Sequence, residues 1–249
     1  MNEKNSLSVP FAIIVAGVII AASVIYVFSG SPKDTNQEVE NNQQETETLT
    51  PSPSNILPVS ESDHIRGDLS APVKIVEFSD TECPYCKRFH ETMVEALKRY
   101  EGQVAWVYRH APLDSLHSKA RTESVATECA AKIGGNDGFW NYMDRLMEIT
   151  PSNNQLDLAL LPSIASDVGI DRTAFEACLA DETFAQEKIQ SQLEDAINSG
   201  MRGTPYSIVI APNGKKFVIN GAYPLDPVPG VGVTQTVDYM IKKALEKVN

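Results

Sequence analysis

The sequence DTECPYCKRFH, residues 80–90, places two cysteines three positions apart where an apolar run meets a helix-like run. The same C-x-x-C spacing serves thiol chemistry and zinc binding. At this point Cys83 and Cys86 can therefore be a redox couple, half of a metal site or a structural bridge. The residues on either side have to distinguish the three.

A short β-branched run precedes the cysteine pair and a helical pattern follows it. Residues 73–78, VKIVEF, are typical of a strand, and residues 104–108, VAWVY, of another. Between them the helical spacing is carried by the apolar residues Phe89, Met93, Ala96, Leu97 and Tyr100. Strand, helix and strand over so short a length predict a βαβ unit with parallel strands and a right-handed crossover.

The long segment after this unit has helical periodicity throughout. A structureless loop of this length is unusual in a compact domain, so residues 114–200 are predicted to form an inserted, all-helical subdomain. Residues 206–210, YSIVI, and 216–219, KFVI, flank Asn213-Gly214 and predict a hairpin, which an amphipathic last helix follows. The order βαβ, helices, ββα predicts an α/β domain over residues 61–249.

Composition and charge limit the classes of function. The chain has 249 residues, of which 42% are hydrophobic and 22% are charged, as in globular proteins. Its formal net charge of -12 opposes binding to phosphate backbones and to anionic lipid headgroups. No nucleic-acid partner is therefore expected.

An apolar run near the amino terminus predicts the compartment. Residues 10–28, PFAIIVAGVIIAASVIYVF, carry no charge and approach the ~30 Å of a bilayer core, so a single transmembrane anchor is expected behind residues 1–9. A cleaved signal peptide is the alternative, because Ala21-Ala22-Ser23 offers small residues. Residues 29–60 are rich in Asn, Gln, Glu, Thr and Pro and predict a flexible, disordered linker. The acidic domain is then expected outside the cytoplasm, tethered to the cell membrane.

Three features together resemble those of the DsbA-like thiol:disulfide oxidoreductases. They are a C-x-x-C at the start of the first helix, a helical insertion, and Gly203-Thr204-Pro205 before a hairpin. The resemblance extends from about His64 to the C-terminus and includes EFSDTECPYC, YRHAPLD with the nearby His117, and GTP. It implies a thioredoxin-like fold with an inserted helical subdomain, and disulfide exchange with unfolded or partly folded proteins. A redox partner that recycles the cysteine pair is also implied, and no cofactor is expected.

The chemistry of the cysteine pair agrees with this resemblance. A cysteine at a helix N-terminus meets backbone N–H groups and the positive end of the helix dipole, so its thiolate is stabilised and its pKa falls. Cys83 is therefore the expected nucleophile, and Cys86, one turn inside the helix, is expected to resolve mixed disulfides. Pro84 suits the first helical position. Pro84-Tyr85 resembles the glutaredoxin dipeptide, whereas strong oxidants of the DsbA family commonly carry a histidine between the cysteines.

Two further positions are expected in the site. Glu77 interrupts an apolar strand six positions before Cys83, where a buried carboxyl has a raised pKa and can shuttle protons to Cys86. An edge position with Glu77 in water is the alternative. Thr204-Pro205 resembles the family's cis-proline loop, which faces the active cysteines and pairs with an extended substrate. A trans proline that starts a strand is the alternative there.

The other two cysteines, Cys129 and Cys178, each lie on the apolar stripe of a predicted helix. Two buried free thiols are one interpretation. In an oxidising compartment a structural disulfide is favoured, because closing a loop of this length stabilises a fold by roughly 3–4 kcal/mol.

Metal binding is the main rival function, because Cys83, Cys86 and His90 form a C-x-x-C-x-x-x-H pattern. No fourth ligand is apparent nearby in the sequence, so His90 is interpreted as a solvent-facing helix residue and no metal is expected. The second rival is a redox-silent domain that binds extended peptides through Thr204-Pro205. The preferred prediction is a membrane-tethered, extracytoplasmic thiol:disulfide oxidoreductase that oxidises substrate-protein thiols through a Cys83-Cys86 disulfide.

Overall fold

A mixed sheet with the strand order β1-β3-β2-β4-β5 forms the centre of the computed structural model, which describes residues 50–181 and 183–246. Its strands are β1 His64–Arg66, β2 Val73–Ser79, β3 Val104–His110, β4 Tyr206–Ile210 and β5 Lys216–Asn220. Strands β2 and β3 pair in parallel, while β1, β4 and β5 join their neighbours antiparallel. The predicted βαβ unit and hairpin are therefore both present, and β2 lies in the middle of the sheet.

The predicted helical insertion lies between β3 and β4. The α-helices of the described residues are α1 Pro84–Arg99, α2 Ala120–Ile149, α3 Leu161–Asp167, α4 Arg172–Leu179, α5 Gln186–Asn198 and α6 Val237–Leu245. Helix α1 connects the two parallel strands, and α2 to α5 form the insertion. Gly135 has a φ of 65° inside α2 and breaks it into two segments, each with its own apolar stripe.

Both faces of β2 are covered, which explains its almost continuous apolar sequence. On one face Ile75 packs in a core that includes Phe89 of α1. On the other face Phe78 packs in a core that includes Ala196 of α5. The side chain of Glu77, near the middle of this strand, is therefore enclosed between packed layers.

A further core lies within the helical insertion. Cys129 of α2 and Cys178 of α4 form a disulfide there, beside the buried side chains of Leu146, Leu161 and Phe175. The bridge spans a sequence separation of 49, for which the chain-entropy model gives about 4 kcal/mol of stabilisation. The disulfide therefore ties the first segment of α2 to a short helix that has little packing surface of its own.

The packed domain begins earlier than the predicted boundary at residue 61. Residues 50–60, assigned to the linker from their composition, lie against the domain, and Ile56 is buried in it. The buried guanidinium of Arg109 donates hydrogen bonds to the carbonyls of Leu57 and Pro58, at 3.1 Å each. These contacts depend on the folded sheet, so composition alone misassigned this end of the linker.

The predicted anchor, residues 10–28, lies outside the described residues, as do residues 1–9 and the linker up to residue 49. In the part of the chain that the structure describes, no helix combines the length and the apolar character that a membrane crossing requires. The anchor therefore stays a prediction from the sequence.

Candidate active site

The N-terminus of α1 carries the cysteine pair. Cys83 is the N-cap residue, with extended backbone angles of φ -78° and ψ 120°, and Pro84 is the first helical residue. Proline has no N–H to leave unpaired there and its φ is already helical, so it begins the helix without strain. Cys83 retains 5% exposure and Cys86 has none, so solvent and substrates meet Cys83 first.

The surroundings of Cys83 favour its thiolate. A hydrogen bond from the Cys86 thiol is the largest cause that lowers the pKa of Cys83, to about 6. Burial opposes this shift, whereas backbone N–H groups of Cys86 and Tyr85 and the side chain of Thr204 support it. At neutral pH the proton of the pair therefore stays on Cys86, and the thiolate is on Cys83, as its predicted role as nucleophile requires.

Cys86 is held as a thiol. Its complete burial raises the pKa well above the ordinary value, and the hydrogen bond to Cys83 and the charges of Cys83 and Glu77 raise it further. The backbone N–H of Asp80 lies 3.4 Å from its sulfur and works in the opposite direction. Cys86 consequently needs a proton acceptor before it can act as a thiolate, and a proton donor when it is released as one.

Glu77 provides a carboxyl on the face of the sheet that packs against α1, the helix that begins at the cysteine pair. It lies in the middle of β2, in register with Tyr108 of β3 and Ser207 of β4, and is almost completely buried. Burial raises the pKa of Glu77 to about 7, although hydrogen bonds with Ser79 and Trp106 lower it. The indole Nε1 of Trp106 donates to Oε2 of Glu77 at 2.8 Å. The alternative of an exposed edge position is therefore excluded, and Glu77 can take up or release a proton near neutral pH.

The loop before β4 faces the nucleophile. The Thr204-Pro205 peptide bond is cis, as the sequence resemblance implies, and the carbonyl oxygen of Thr204 lies 3.5 Å from Sγ of Cys83. On the outer side of the pair Tyr85 is 57% exposed, with the Arg88 guanidinium 5.3 Å from its ring centre. An aromatic ring and a backbone edge therefore flank the Cys83 sulfur, and both can contact an extended chain.

A buried acidic group beside the cysteines was not predicted. Asp80 accepts a hydrogen bond from the backbone N–H of Leu113 at 2.7 Å, and its Oδ2 lies 2.9 Å from Nδ1 of His117. Burial raises the pKa of Asp80, and these hydrogen bonds oppose the shift. Glu82 and Glu123 are also completely buried nearby. One signal was available, because Glu123 falls on the apolar stripe of α2.

His90 was wrongly interpreted as a solvent-facing residue. It is buried, and its Nε2 lies 2.8 Å from Oδ1 of Asp144 on α2. The side of α1 that carries His90 is covered by the insertion, which the helical spacing could not show. Cys83, Cys86 and His90 do not form a cluster of converging ligand atoms among the described residues.

Ligand-type side chains do converge at a different place. His64, His110 and Glu128 bring their ligand atoms within 4.8 Å of one another in the described part of the chain. The Lys188 ammonium lies 2.9 Å from Oε2 of Glu128 and from Nε2 of His64. Burial would raise the pKa of Glu128, but hydrogen bonds from His110 and His64 lower it overall. The cluster is therefore a buried carboxylate with a lysine as its counter-charge.

The contrast between the two thiols predicts selective alkylation. At pH 6.5 in the reduced protein, iodoacetamide should label Cys83, because its pKa is lowered to about 6, and should leave Cys86 unlabelled. The Cys83 rate should rise with pH through about 6 and be level between pH 7 and pH 8. A synthetic peptide of residues 80–90 is the matched control, with both thiols titrating near the free value of about 8.5. Equal or faster labelling of Cys86, measured by peptide mass spectrometry, would reverse the assignment.

Comparison with known proteins gives a family match over most of this domain. A family model described as thioredoxin matches residues 59–222. The Na(+)/H(+) antiporter NhaA 3 of Salinispora tropica is 34% identical over 172 residues, which are 69% of this chain and 24% of the antiporter. NhaA 1 of Salinispora arenicola is 33% identical over the same length, with the same two shares. The chain thus spans about a quarter of the length of these curated relatives, and the antiport in their names belongs to those proteins.

Solved structures share the architecture. DsbA2 of Pseudomonas aeruginosa has a TM-score of 0.57 at 24% identity, covering 76% of this chain and 99% of that protein. Alpha-DsbA1 of Wolbachia pipientis has a TM-score of 0.60 at 23% identity, covering 78% and 97%. Oxidised BdbD of Bacillus subtilis has a TM-score of 0.59 at 22% identity, covering 75% and 95%. The predicted thioredoxin-like fold with a helical insertion is therefore confirmed.

Proposed function

We propose, because the chain belongs to the thioredoxin family, that it is an enzyme that exchanges disulfides with other proteins through Cys83 and Cys86. The observation that carries this proposal is the opposite shift of the two thiol pKa values at one helix N-terminus. A metal site would need both sulfurs as thiolates, and a binding module would need neither. A low pKa on the more exposed thiol and a high pKa on the buried one suit sequential exchange.

The proposed exchange transfers two electrons from the substrate to the enzyme. In the oxidised enzyme a substrate thiolate attacks the Cys83 sulfur, so that the Cys83–Cys86 bond breaks and Cys86 leaves as a thiolate. Glu77, with a pKa of about 7, gives Cys86 its proton. A second substrate thiolate then attacks the substrate sulfur of the mixed disulfide and releases Cys83 as the stabilised thiolate. The substrate gains one disulfide, and the enzyme gains two electrons.

Oxidation of substrate is the proposed net direction. A low pKa on Cys83 stabilises the reduced enzyme relative to its disulfide, which makes the disulfide a better oxidant. A redox partner must then remove two electrons from the reduced pair after each cycle. The proposed substrates are unfolded or partly folded proteins, because Thr204-Pro205 and the exposed Tyr85 flank Cys83 in a way that suits an extended chain.

The proposed location is the extracytoplasmic side of the cell membrane. Residues 10–28 provide an uncharged apolar run for a single anchor, and residues 29–49 a polar linker. The buried Cys129–Cys178 disulfide supports an oxidising compartment. After intact cells are treated briefly with a membrane-impermeant reductant, a membrane-impermeant maleimide should label Cys83, and labelling only after lysis would place the domain inside.

The direct test mixes the oxidised full chain, in detergent, with a reduced unfolded protein that contains two cysteines. Each enzyme should remove two substrate thiols and gain two thiols, at Cys83 and Cys86. The Cys83→Ser chain is the control and should remove none. Failure of the unaltered chain to consume substrate thiols would reject the proposal, and exchange that stops with a chelator would favour the metal-binding rival.

A further inference from the structure

Two buried carboxyl side chains, those of Glu82 and Glu123, lie close together beside the active-site turn. Glu82 precedes Cys83, and Glu123 lies in the first turn of α2, within the helical insertion. Both have no exposure, and the Glu123 carboxyl is within hydrogen-bonding reach of the Glu82 carboxyl. The residue before the nucleophile therefore has its side chain turned inward against another acid.

The position of Glu82 is fixed by an unusual turn. Ser152, Asn153 and Asn154 have φ values of 64°, 53° and 63°, three consecutive left-handed residues of which none is glycine. The N–H of Asn153 donates to the backbone carbonyl of Glu82 at 2.8 Å, and the N–H of Asn154 donates to its carboxyl Oε2. Backbone strain of this kind persists where neighbouring structure holds it, and it is concentrated at functional sites. The insertion thus holds Glu82 at both its main chain and its side chain.

Glu82 in turn shapes the turn that carries Cys83. The N–H of Glu82 donates to Oδ1 of Asp80 at 2.8 Å, and the N–H of Cys83 donates to the Asp80 carbonyl at 3.1 Å. A displacement of Glu82 would therefore move the N-cap residue of α1. The Cys83 sulfur depends on this cap position for its backbone hydrogen bonds.

Because Glu82 and Glu123 are both buried, one of the two carboxyls has to be protonated. Two buried carboxylates in contact cannot both stay ionised, because neither has water to stabilise it. Glu82 receives the N–H of Asn154, whereas both oxygens of Glu123 lack a well-formed hydrogen bond within the described residues. Glu123 is consequently the member that holds the proton. Its place in the first turn of α2 favours the anion, but this effect is outweighed by burial and by Glu82.

We propose that Glu123 is a positioning residue for the nucleophile: its protonated carboxyl donates to Glu82 and holds the turn that carries Cys83. The inference rests on the proposed function, since it assigns the helical insertion a role in the reactivity of that cysteine. Loss of the proton from Glu123 would place two anions side by side. Glu82 would be pushed from the turn, and Cys83 would become more accessible.

The pH at which this happens follows from the groups that face Glu123. Burial is the largest cause that raises the pKa of Glu123, to about 9, and the hydrogen bond and charge of Glu82 and the charge of Asp80 raise it further. The Thr81 hydroxyl lowers it. Tyr142, on the second segment of α2, senses the Glu123 charge, and His117 is paired with Asp80. The positioning contact should therefore hold at neutral pH and fail as the pH passes about 9.

The test follows alkylation of Cys83 by iodoacetamide between pH 5 and pH 10 in the full chain. All variants carry Cys86→Ser, because a serine hydroxyl can still donate to Cys83 but does not titrate in this range. With Glu123 present, the rate should level off above the titration of Cys83 and rise again at least threefold between pH 8 and pH 10. With Glu123→Gln the neutral amide keeps the donor at every pH, and the rate should stay level.

Two more variants distinguish an effect on the position of Cys83 from a general loss of stability of the fold. Glu123→Ala removes the donor, so the raised rate should already be present at pH 7. Thr127→Ala, a buried position on the same helix, should lower the melting temperature but leave the pH profile unchanged. A second rise that persists in Glu123→Gln, or that is missing when Glu123 is present, overturns the inference. Alkylation requires no substrate protein, so this result is independent of whether the chain exchanges disulfides.

Discussion

Cys86→Ala is expected to stop catalytic turnover and leave Cys83 covalently joined to substrate. Cys83 can still attack a disulfide in a substrate protein, because it carries the accessible, low-pKa thiol. Release of the reduced substrate from the resulting mixed disulfide needs the resolving thiol of Cys86, and that thiol is gone. Turnover should fall by about 1,000-fold or more, since the remaining cysteine cannot complete the cycle alone.

The measurement is non-reducing electrophoresis of the full chain after incubation with a disulfide-containing, unfolded protein. A band at the summed mass of the two proteins should appear and disappear again with reductant. Cys83→Ala is the matched control and should give no such band, because Cys86 is completely buried. An adduct with Cys83→Ala and none with Cys86→Ala would exchange the roles of the two cysteines.

A third variant distinguishes the loss of Cys86 as a resolving thiol from the loss of its hydrogen bond to Cys83. The Cys86 thiol is also the largest cause of the low pKa of Cys83, so Cys86→Ala should slow adduct formation below neutral pH. Cys86→Ser keeps a hydroxyl donor in the same place and should form the adduct faster at pH 6 than the alanine variant. Equal rates would mean that the helix N-terminus, and not Cys86, sets the thiolate.

The elements that flank the cysteines were predictable because their signals are local. The apolar run at residues 73–78 and the helical spacing after Pro84 place β2 and α1 within one residue of their observed ends. Strand β1, His64–Arg66, was missed because it is short and carries no alternation. It is held by pairing with β3 and by stacking of the His64 ring on Phe139, with centroids 3.6 Å apart. Such contacts exist only in the folded chain.

The candidate site also contains features that the sequence predicts and features that depend on tertiary packing. The predicted roles of Cys83 and Cys86 follow from their places at one helix N-terminus, and the burial of Glu77 follows from its apolar strand. The orientation of His90 and the contact of Glu123 with the active-site turn depend on how the insertion packs against α1. Sequence spacing cannot supply that packing, because the two segments approach each other through tertiary contacts alone.

Glu77→Gln is expected to slow exchange while making the domain more stable. The amide can still accept the hydrogen bond of Trp106, but it can neither give a proton to Cys86 nor remove one. The step in which Cys86 leaves or attacks should slow by about 100-fold, the lower end of what positioned proton transfer contributes. Alkylation of Cys83 should be nearly unchanged, because its thiolate rests on Cys86 and on the backbone of α1.

The stability effect has a defined sign and pH window. The pKa of Glu77 is raised by burial to about 7, whereas the unfolded chain ionises it near 4.5. Between these values the native state keeps a proton that the unfolded state has lost, so the free energy of unfolding falls as pH rises. Because a pKa difference of one corresponds to 1.36 kcal/mol, the free energy of unfolding is lower by about 3 kcal/mol at pH 7 than at pH 4. Glutamine does not ionise and avoids this loss.

Urea unfolding at pH 4 and pH 7.5 measures the difference directly. Glu77→Gln should match the unaltered chain at pH 4, where both side chains are neutral, and exceed it by up to about 3 kcal/mol at pH 7.5. Glu95→Gln is the control, since it removes the same charge from the exposed surface of α1 and should change neither stability nor exchange. Exchange rates that are equal across pH 5 to 8 would remove Glu77 from the proton path. A stability gain independent of pH would instead show that the pKa of Glu77 is the same in the native and the unfolded protein.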